Sequence, residues 1–197
     1  IDAEGTRILV HKLSDRGVNY IDTARGYTVS EEYLGYALEG IRDKFVIATK
    51  SMARTREAMA TDIEKSLCNL KTDYIDIYQV HNPSMEQLDQ VLAKDGALEA
   101  LQEAKKAGKI GHLGLTETIM FPYNIVEGQG EELIAECKKR NIGFIDMKPL
   151  AGGAIENGTL ALRYICSNPN VTIVIPGMAE EHEMEENIKA CLDSSPL

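Results

Sequence analysis

Short apolar strands alternate with amphipathic helices along this chain, and that rhythm limits its folds more than any other feature. Ile8, Leu9 and Leu13 fall at helical spacing between Glu4 and Arg16, and Gly17 stands where a helix C-terminal cap would. A short strand, Val18 to Ile21, then runs into Asp22. Ser30 is placed to cap the next helix, with Glu31 and Glu32 in its first turn. Phe45 to Ala48 is a continuous apolar strand ending at Thr49 and Lys50, as suits a parallel strand buried on both faces. A helix over about 55–70 leads to the strand Tyr74 to Val80, which delivers His81. A helix over 97–107 stops at Gly108, and the strand Ile110 to Leu115 follows. The rhythm resumes with a helix over 131–140, a strand over 142–147, a helix over 159–167, a strand over 171–175 and a helix over 180–191.

Alternating strands and helices give a parallel sheet, open or closed. An open doubly wound sheet usually carries a Gly-rich phosphate loop after its first strand, and no GxGxxG occurs here. In a closed barrel the functional residues come from the C-terminal ends of several strands. Asp22, Lys50 and His81 are distributed in that way, which favours an α/β fold of the (β/α)8 TIM-barrel kind. Counting units leaves the first strand absent before Ile1 and the fifth helix and sixth strand absent after Leu115. Only residues 116–120 separate Leu115 from Phe121, whereas a βαβ crossover takes at least about ten residues. Residues 1–197 thus read as one incomplete barrel domain. Either the sequence joins parts of a longer chain, with Met120–Phe121 as the junction, or the barrel is degraded; the first is favoured.

A net charge of −10 argues against a nucleic-acid partner, whose phosphates require a basic patch. No apolar run is long enough to span a bilayer, and the N-terminus carries no signal-peptide pattern. Cys68, Cys137, Cys166 and Cys191 form no CxxC pair and match no zinc spacing, so no metal site is expected. Cys68 and Cys137 read as buried free thiols on amphipathic helices, and reduced cysteines are expected in a cytoplasmic protein.

Asp22, Tyr27, Lys50 and His81 supply a carboxylate, a phenol, an ammonium and an imidazole at the same end of consecutive units. Singly, each has an ordinary reading: a turn-capping Asp, a loop aromatic, a solvated charge, a structural imidazole. Those readings do not account for four polar residues at one end of three units. Hydride transfer to a carbonyl builds negative charge on oxygen, and a nearby acid must supply a proton. A lysine ammonium beside a phenol favours phenolate, a carboxylate holds the ammonium, and an imidazole can donate a hydrogen bond where charge develops.

At these residues the sequence resembles the aldo-keto reductase family. The resemblance is carried by Asp22-Thr23-Ala24 with Tyr27, Ser30-Glu31-Glu32 and Leu34-Gly35, by Val46 to Lys50, and by Asp73 to Asp76 with Val80 to Pro83. It continues through Gly108 to Gly114, Lys148-Pro149-Leu150-Ala151-Gly152-Gly153, and Ile175-Pro176-Gly177 with Glu186-Asn187. It covers nearly the whole chain, in order. It implies a (β/α)8 barrel that reduces an aldehyde or ketone, or oxidises the alcohol, using NADPH or NADH. Tyr27 would be the general acid, Lys50 and Asp22 its supporting ion pair, and His81 the carbonyl-orienting imidazole. Asn82 stands where the family often has an aromatic.

The resemblance also implies a cofactor site built from the late strands: Thr116, Glu117, Lys148, Pro149, Leu150, Gly152, Gly153, Ile175, Pro176, Gly177, Met178, Glu183, Glu186 and Asn187. Glu117 departs from the family's asparagine. Gly177 and Glu183 stand where well-studied NADPH-binding members carry a lysine and an arginine that grip the 2′-phosphate. No Lys or Arg occurs between Arg163 and Lys189, and Glu180, Glu181, Glu183 and Glu185 crowd this region. A weaker hold on NADPH, or an NADH preference, is therefore expected; the other reading is a solvated helix face. Two function classes stay open: an active oxidoreductase on a small carbonyl compound, and a non-catalytic cofactor-binding barrel with a regulatory or redox-sensing role.

Overall fold

The computed structural model describes residues 1–193. Among them seven strands, paired only in parallel, alternate with α-helices. The chain divides into two compact units, the first Ile1–Leu115 and the second beginning at Thr116.

The first unit opens with helix α1 (Ala3–Asp15), which Gly17 ends at a φ of +80°. Strand β1 (Tyr20–Asp22), helix α2 (Ser30–Ala37), strand β2 (Val46–Ser51), helix α3 (Arg56–Asn69) and strand β3 (Ile75–Val80) follow. Helices α4 (Met85–Leu92) and α5 (Ala97–Lys106) then lead to strand β4 (Ile110–Gly114). The strands lie in the order β1-β2-β3-β4, with Asp22 opposite Ala48, Lys50 opposite Gln79 and Ile77 opposite His112. Ile47, Ile75 and Tyr78 of the sheet pack with Leu34, Met59, Ile63 and Leu101 of the helices in one buried core. Such burial stabilises by roughly 25 cal/mol per Å² of apolar surface removed from water. Helix α4 escapes a reading by apolar periodicity, but its start is written locally. Ser84 accepts from the Gln87 backbone and the Gln87 side chain accepts from Ser84, a capping box.

The second unit comprises strand β5 (Thr118–Pro122), helix α6 (Gly130–Arg140), strand β6 (Gly143–Met147), helix α7 (Gly158–Cys166), strand β7 (Ile173–Ile175) and helix α8 (Glu181–Leu192). Its sheet has the order β5-β6-β7. Tyr123, Ile134, Cys137, Phe144 and Ile165 form its buried core.

Two local expectations change. Ser30 does not cap α2; its hydroxyl pairs with that of Thr23 at 2.8 Å, and the helix has no side-chain cap. Cys68 is exposed rather than buried, because α3 turns Ile63, Leu67 and Met59 to the core instead. Met120 and Phe121 are consecutive residues of one strand, paired with Ile145 and Asp146. Residues 115–117 are the whole connection between β4 and β5. No described helix is long and apolar enough to cross a membrane.

Candidate active site

Parallel register and the two-residue period of strands set Asp22, Lys50 and His81 on neighbouring positions of one sheet end. The Lys50 ammonium donates to the Asp22 carboxylate and, at 2.9 Å, to the carbonyl of Thr23. Lys50 is only 4% exposed, and that carboxylate is its ion-pair partner. Burial pushes the Asp22 carboxyl above the usual range, and the charge and hydrogen bond of Lys50 oppose the rise. The same ammonium lies 5.2 Å from the centroid of the Tyr27 ring. That ring meets the His81 imidazole edge-on at 5.9 Å and is 47% exposed, open to a small molecule. Burial, then the charges of Lys50 and Arg54, hold His81 below its ordinary pKa, so it stays neutral near pH 7. The four residues singled out in the sequence thus meet in one cluster centred on Lys50.

Two residues outside the candidate site set hold this cluster. Glu31, 1% exposed, takes hydrogen bonds from Thr49 and Ser66 at 2.8 Å each and pairs with Arg25. It ties the loop over 23–29, and with it Tyr27, to β2 and α3. Arg54 donates to the His81 carbonyl at 2.8 Å and to the Gln87 side chain at 3.1 Å, fixing the chain after β3. Thr28 and Asn82, next in sequence to Tyr27 and His81, have φ of +47° and +42°. Asn tolerates that left-handed region better than most residues, which accounts for Asn82.

The cofactor candidates all fall in the second unit. Met147 and Ile175 are paired, so the segments 148–153 and 176–178 leave neighbouring strand ends. Gly152 and Gly153 turn at φ of +68° and +96°, and a Cβ on either, or on Gly177, would meet nothing within 4 Å. This is open backbone that a phosphate or an amide could approach. Pro149 is buried, Lys148 exposed and Leu150 between the two. Glu183, Glu186 and Asn187 lie on α8. The Glu183 carboxylate accepts from the amides of Ala179 at 2.7 Å and Glu180 at 3.0 Å, bonds that lower its pKa. Where the resemblance puts a phosphate-gripping arginine, this chain has a carboxylate that occupies the helix start itself. Thr116 and Glu117 are not brought together with the others. Glu117 gives its carbonyl to the amide of Gly143, at the start of β6. A strand length, roughly 13 Å at about 3.3 Å per residue, separates it from the opposite sheet end. Three connecting residues leave no room for a crossover helix, so the chain passes straight into β5.

Comparison with known proteins bears on the family and the fold. The family model described as Aldo/keto reductase family matches residues 1–121. An uncharacterised oxidoreductase of Bacillus subtilis, YqkF, is 25% identical over 243 residues, covering 88% of this chain and 78% of the relative. A putative aldo-keto reductase from Pseudomonas aeruginosa superposes with a TM-score of 0.88 at 25% identity, over 98% of this chain and 84% of that one. An aldo-keto reductase from Klebsiella pneumoniae in complex with NADPH gives a TM-score of 0.84 at 23% identity, over 96% of this chain and 80% of that one. The fold class is accordingly the α/β one of the (β/α)8 barrels. With the family match spanning the strands that carry Asp22, Tyr27, Lys50 and His81, the chain belongs to the aldo/keto reductase family.

Proposed function

We propose that this protein reduces a small aldehyde or ketone, or oxidises the corresponding alcohol, with Tyr27 as the general acid. The observation that carries the reading is the Lys50 ammonium held between the Asp22 carboxylate and the Tyr27 ring, with His81 against the same ring. The Tyr27 phenol gives its proton to the carbonyl oxygen as negative charge builds there. Lys50 stabilises the phenolate left behind, and Asp22 keeps Lys50 charged and in place. Neutral His81 turns the carbonyl oxygen toward the phenol by hydrogen bonding.

A nicotinamide cofactor, when bound, supplies the hydride. The open backbone at Gly152, Gly153 and Gly177 fits the approach of its diphosphate and amide groups. Lys148, Pro149, Leu150, Ile175, Pro176 and Met178 would border it, with Glu186 and Asn187 offering polar groups from α8. The residues fit a 2′-phosphate poorly, because Glu183 already holds the donors at the start of α8. The NADPH complex of the Klebsiella relative supports a nicotinamide cofactor here. We further infer that the full protein carries an additional segment between Gly114 and Thr118, where Thr116 and Glu117 would gain the length to face the cofactor. The three-residue connection supports this, as does an alignment of 243 residues to a chain of 197.

The test is cofactor-dependent turnover across a panel of small aldehydes and ketones, with Tyr27→Phe beside the parent. The variant is expected to lose about 100-fold or more in kcat while cofactor affinity stays unchanged. Full rate in Tyr27→Phe would remove the phenol as the acid. Tight cofactor binding with no turnover on any carbonyl would favour the regulatory reading.

A further inference from the structure

Cys166 is the last residue of α7, Cys191 lies in the last turn of α8, and the two helices pack together. Their sulfurs are 3.5 Å apart, and both side chains are half-buried. A disulfide needs the sulfurs about 1.5 Å closer, a change within reach of small side-chain rotations. The hydrogen-bonding contact between the two thiols lowers the pKa of Cys166 and, with burial, raises that of Cys191. Cys166 is therefore the more nucleophilic sulfur of the pair. Cys137 is packed in the core beside Ile134 and Phe144, and Cys68 is exposed on α3. Nothing in the carbonyl chemistry uses any of these thiols.

We propose that Cys166 and Cys191 form a redox-active dithiol, which hydrogen peroxide converts to a disulfide joining the end of α7 to the end of α8. The Cys166 thiolate attacks the peroxide, the O–O bond breaks, and hydroxide leaves and is protonated to water, giving a sulfenic acid. The Cys191 sulfur then attacks the sulfenic sulfur; the S–S bond forms, the S–O bond breaks, and the Cys191 proton leaves with the hydroxyl as a second water. Two thiols lose two electrons in all, and one peroxide becomes two waters. A small-molecule dithiol reverses the change by exchange. Helix α8 also carries Glu183, Glu186 and Asn187, so the bond fixes the helix that the proposed cofactor site uses. That consequence rests on the proposed function, whereas the disulfide itself does not.

The reduced full chain is treated with one equivalent of hydrogen peroxide, quenched by alkylation and mapped as peptides by mass spectrometry. The expected product is a Cys166–Cys191 linked peptide pair, about 2 Da lighter than the two thiol peptides, formed about tenfold faster than any product at Cys68. Dithiothreitol should restore both thiols. Oxidised protein should melt about 5 °C higher than reduced, and Cys166→Ser or Cys191→Ser should remove that difference. Oxidation of Cys68 ahead of the pair would overturn the proposal. So would accumulation of Cys166 sulfinic acid beside a free Cys191. Because the peptide map is made on the parent chain, it decides the matter even if a serine variant folds poorly.

Discussion

Buried carboxylates in this chain are of two kinds. Asp22 and Glu31 have cations, Lys50 and Arg25, to balance them. Asp146 has none among the described residues: its Oδ1 accepts from the Tyr123 amide at 2.9 Å, and its Oδ2, fully buried, has no partner. Burial raises its pKa to about 7 from an ordinary 3.8. Between pH 4 and 7 the folded chain keeps a proton that the unfolded chain has lost, so this group's stabilisation is full below pH 4 and falls as pH rises to 7. The decline is about 1.4 kcal/mol per pH unit for one proton. Asp146→Asn should remove that slope, so the stability of the variant relative to the parent should be about 3 kcal/mol greater at pH 8 than at pH 5; urea melts at the two pH values check it. Asp146 is a charge inside an apolar strand, a local signal that the sequence reading passed over. The burial of Glu31 has no such signal, because a glutamate in a first helical turn is usually solvated, and only the packing of α2 against α3 buries it.

At the scale of elements, α2 and α3 approach so closely that Gly35 admits no side chain. A Cβ there would lie 2.1 Å from the carbonyl oxygen of Asn69 and 2.9 Å from the carbonyl carbon of Leu70. Alanine would gain about 1 kcal/mol in helix propensity but must force two backbones apart. The clash should win, and Gly35→Ala should lower stability by about 2 kcal/mol in a denaturant melt. Glu31→Gln tests the same junction from its polar side. It leaves Arg25 without its buried charge partner, so stability should fall by about 3 kcal/mol. The loop that presents Tyr27 should loosen as well, so kcat should fall several-fold more than KM changes, as steady-state kinetics would show. Helix α4 and strand β5 show why some elements escaped the sequence reading. The start of α4 is encoded in the Ser84–Gln87 capping box rather than in an apolar stripe. Strand β5 is only five residues long and begins directly after a three-residue connection, so the rhythm of strand and helix gives no warning of it.

For the molecule as a whole, the proposed cofactor preference rests on charge. The chain carries a net −10, and the start of α8 is satisfied by Glu183. A 2′-phosphate would meet a carboxylate where it needs a cation, whereas a ribose 2′-hydroxyl can donate to one. Titrating both cofactors should give NADH binding at least as tight as NADPH, and NADPH tighter by tenfold would overturn that expectation. The sequence by itself determined the alternating architecture and named Asp22, Tyr27, Lys50 and His81, because strand ends and helix periodicity are local properties of the chain. Only in three dimensions is Glu31 buried, does Cys166 meet Cys191, and does Glu117 stand at the opposite sheet end from Lys148. Those outcomes depend on register and on helix-to-helix approach, which join residues far apart in sequence and leave no periodic trace along it.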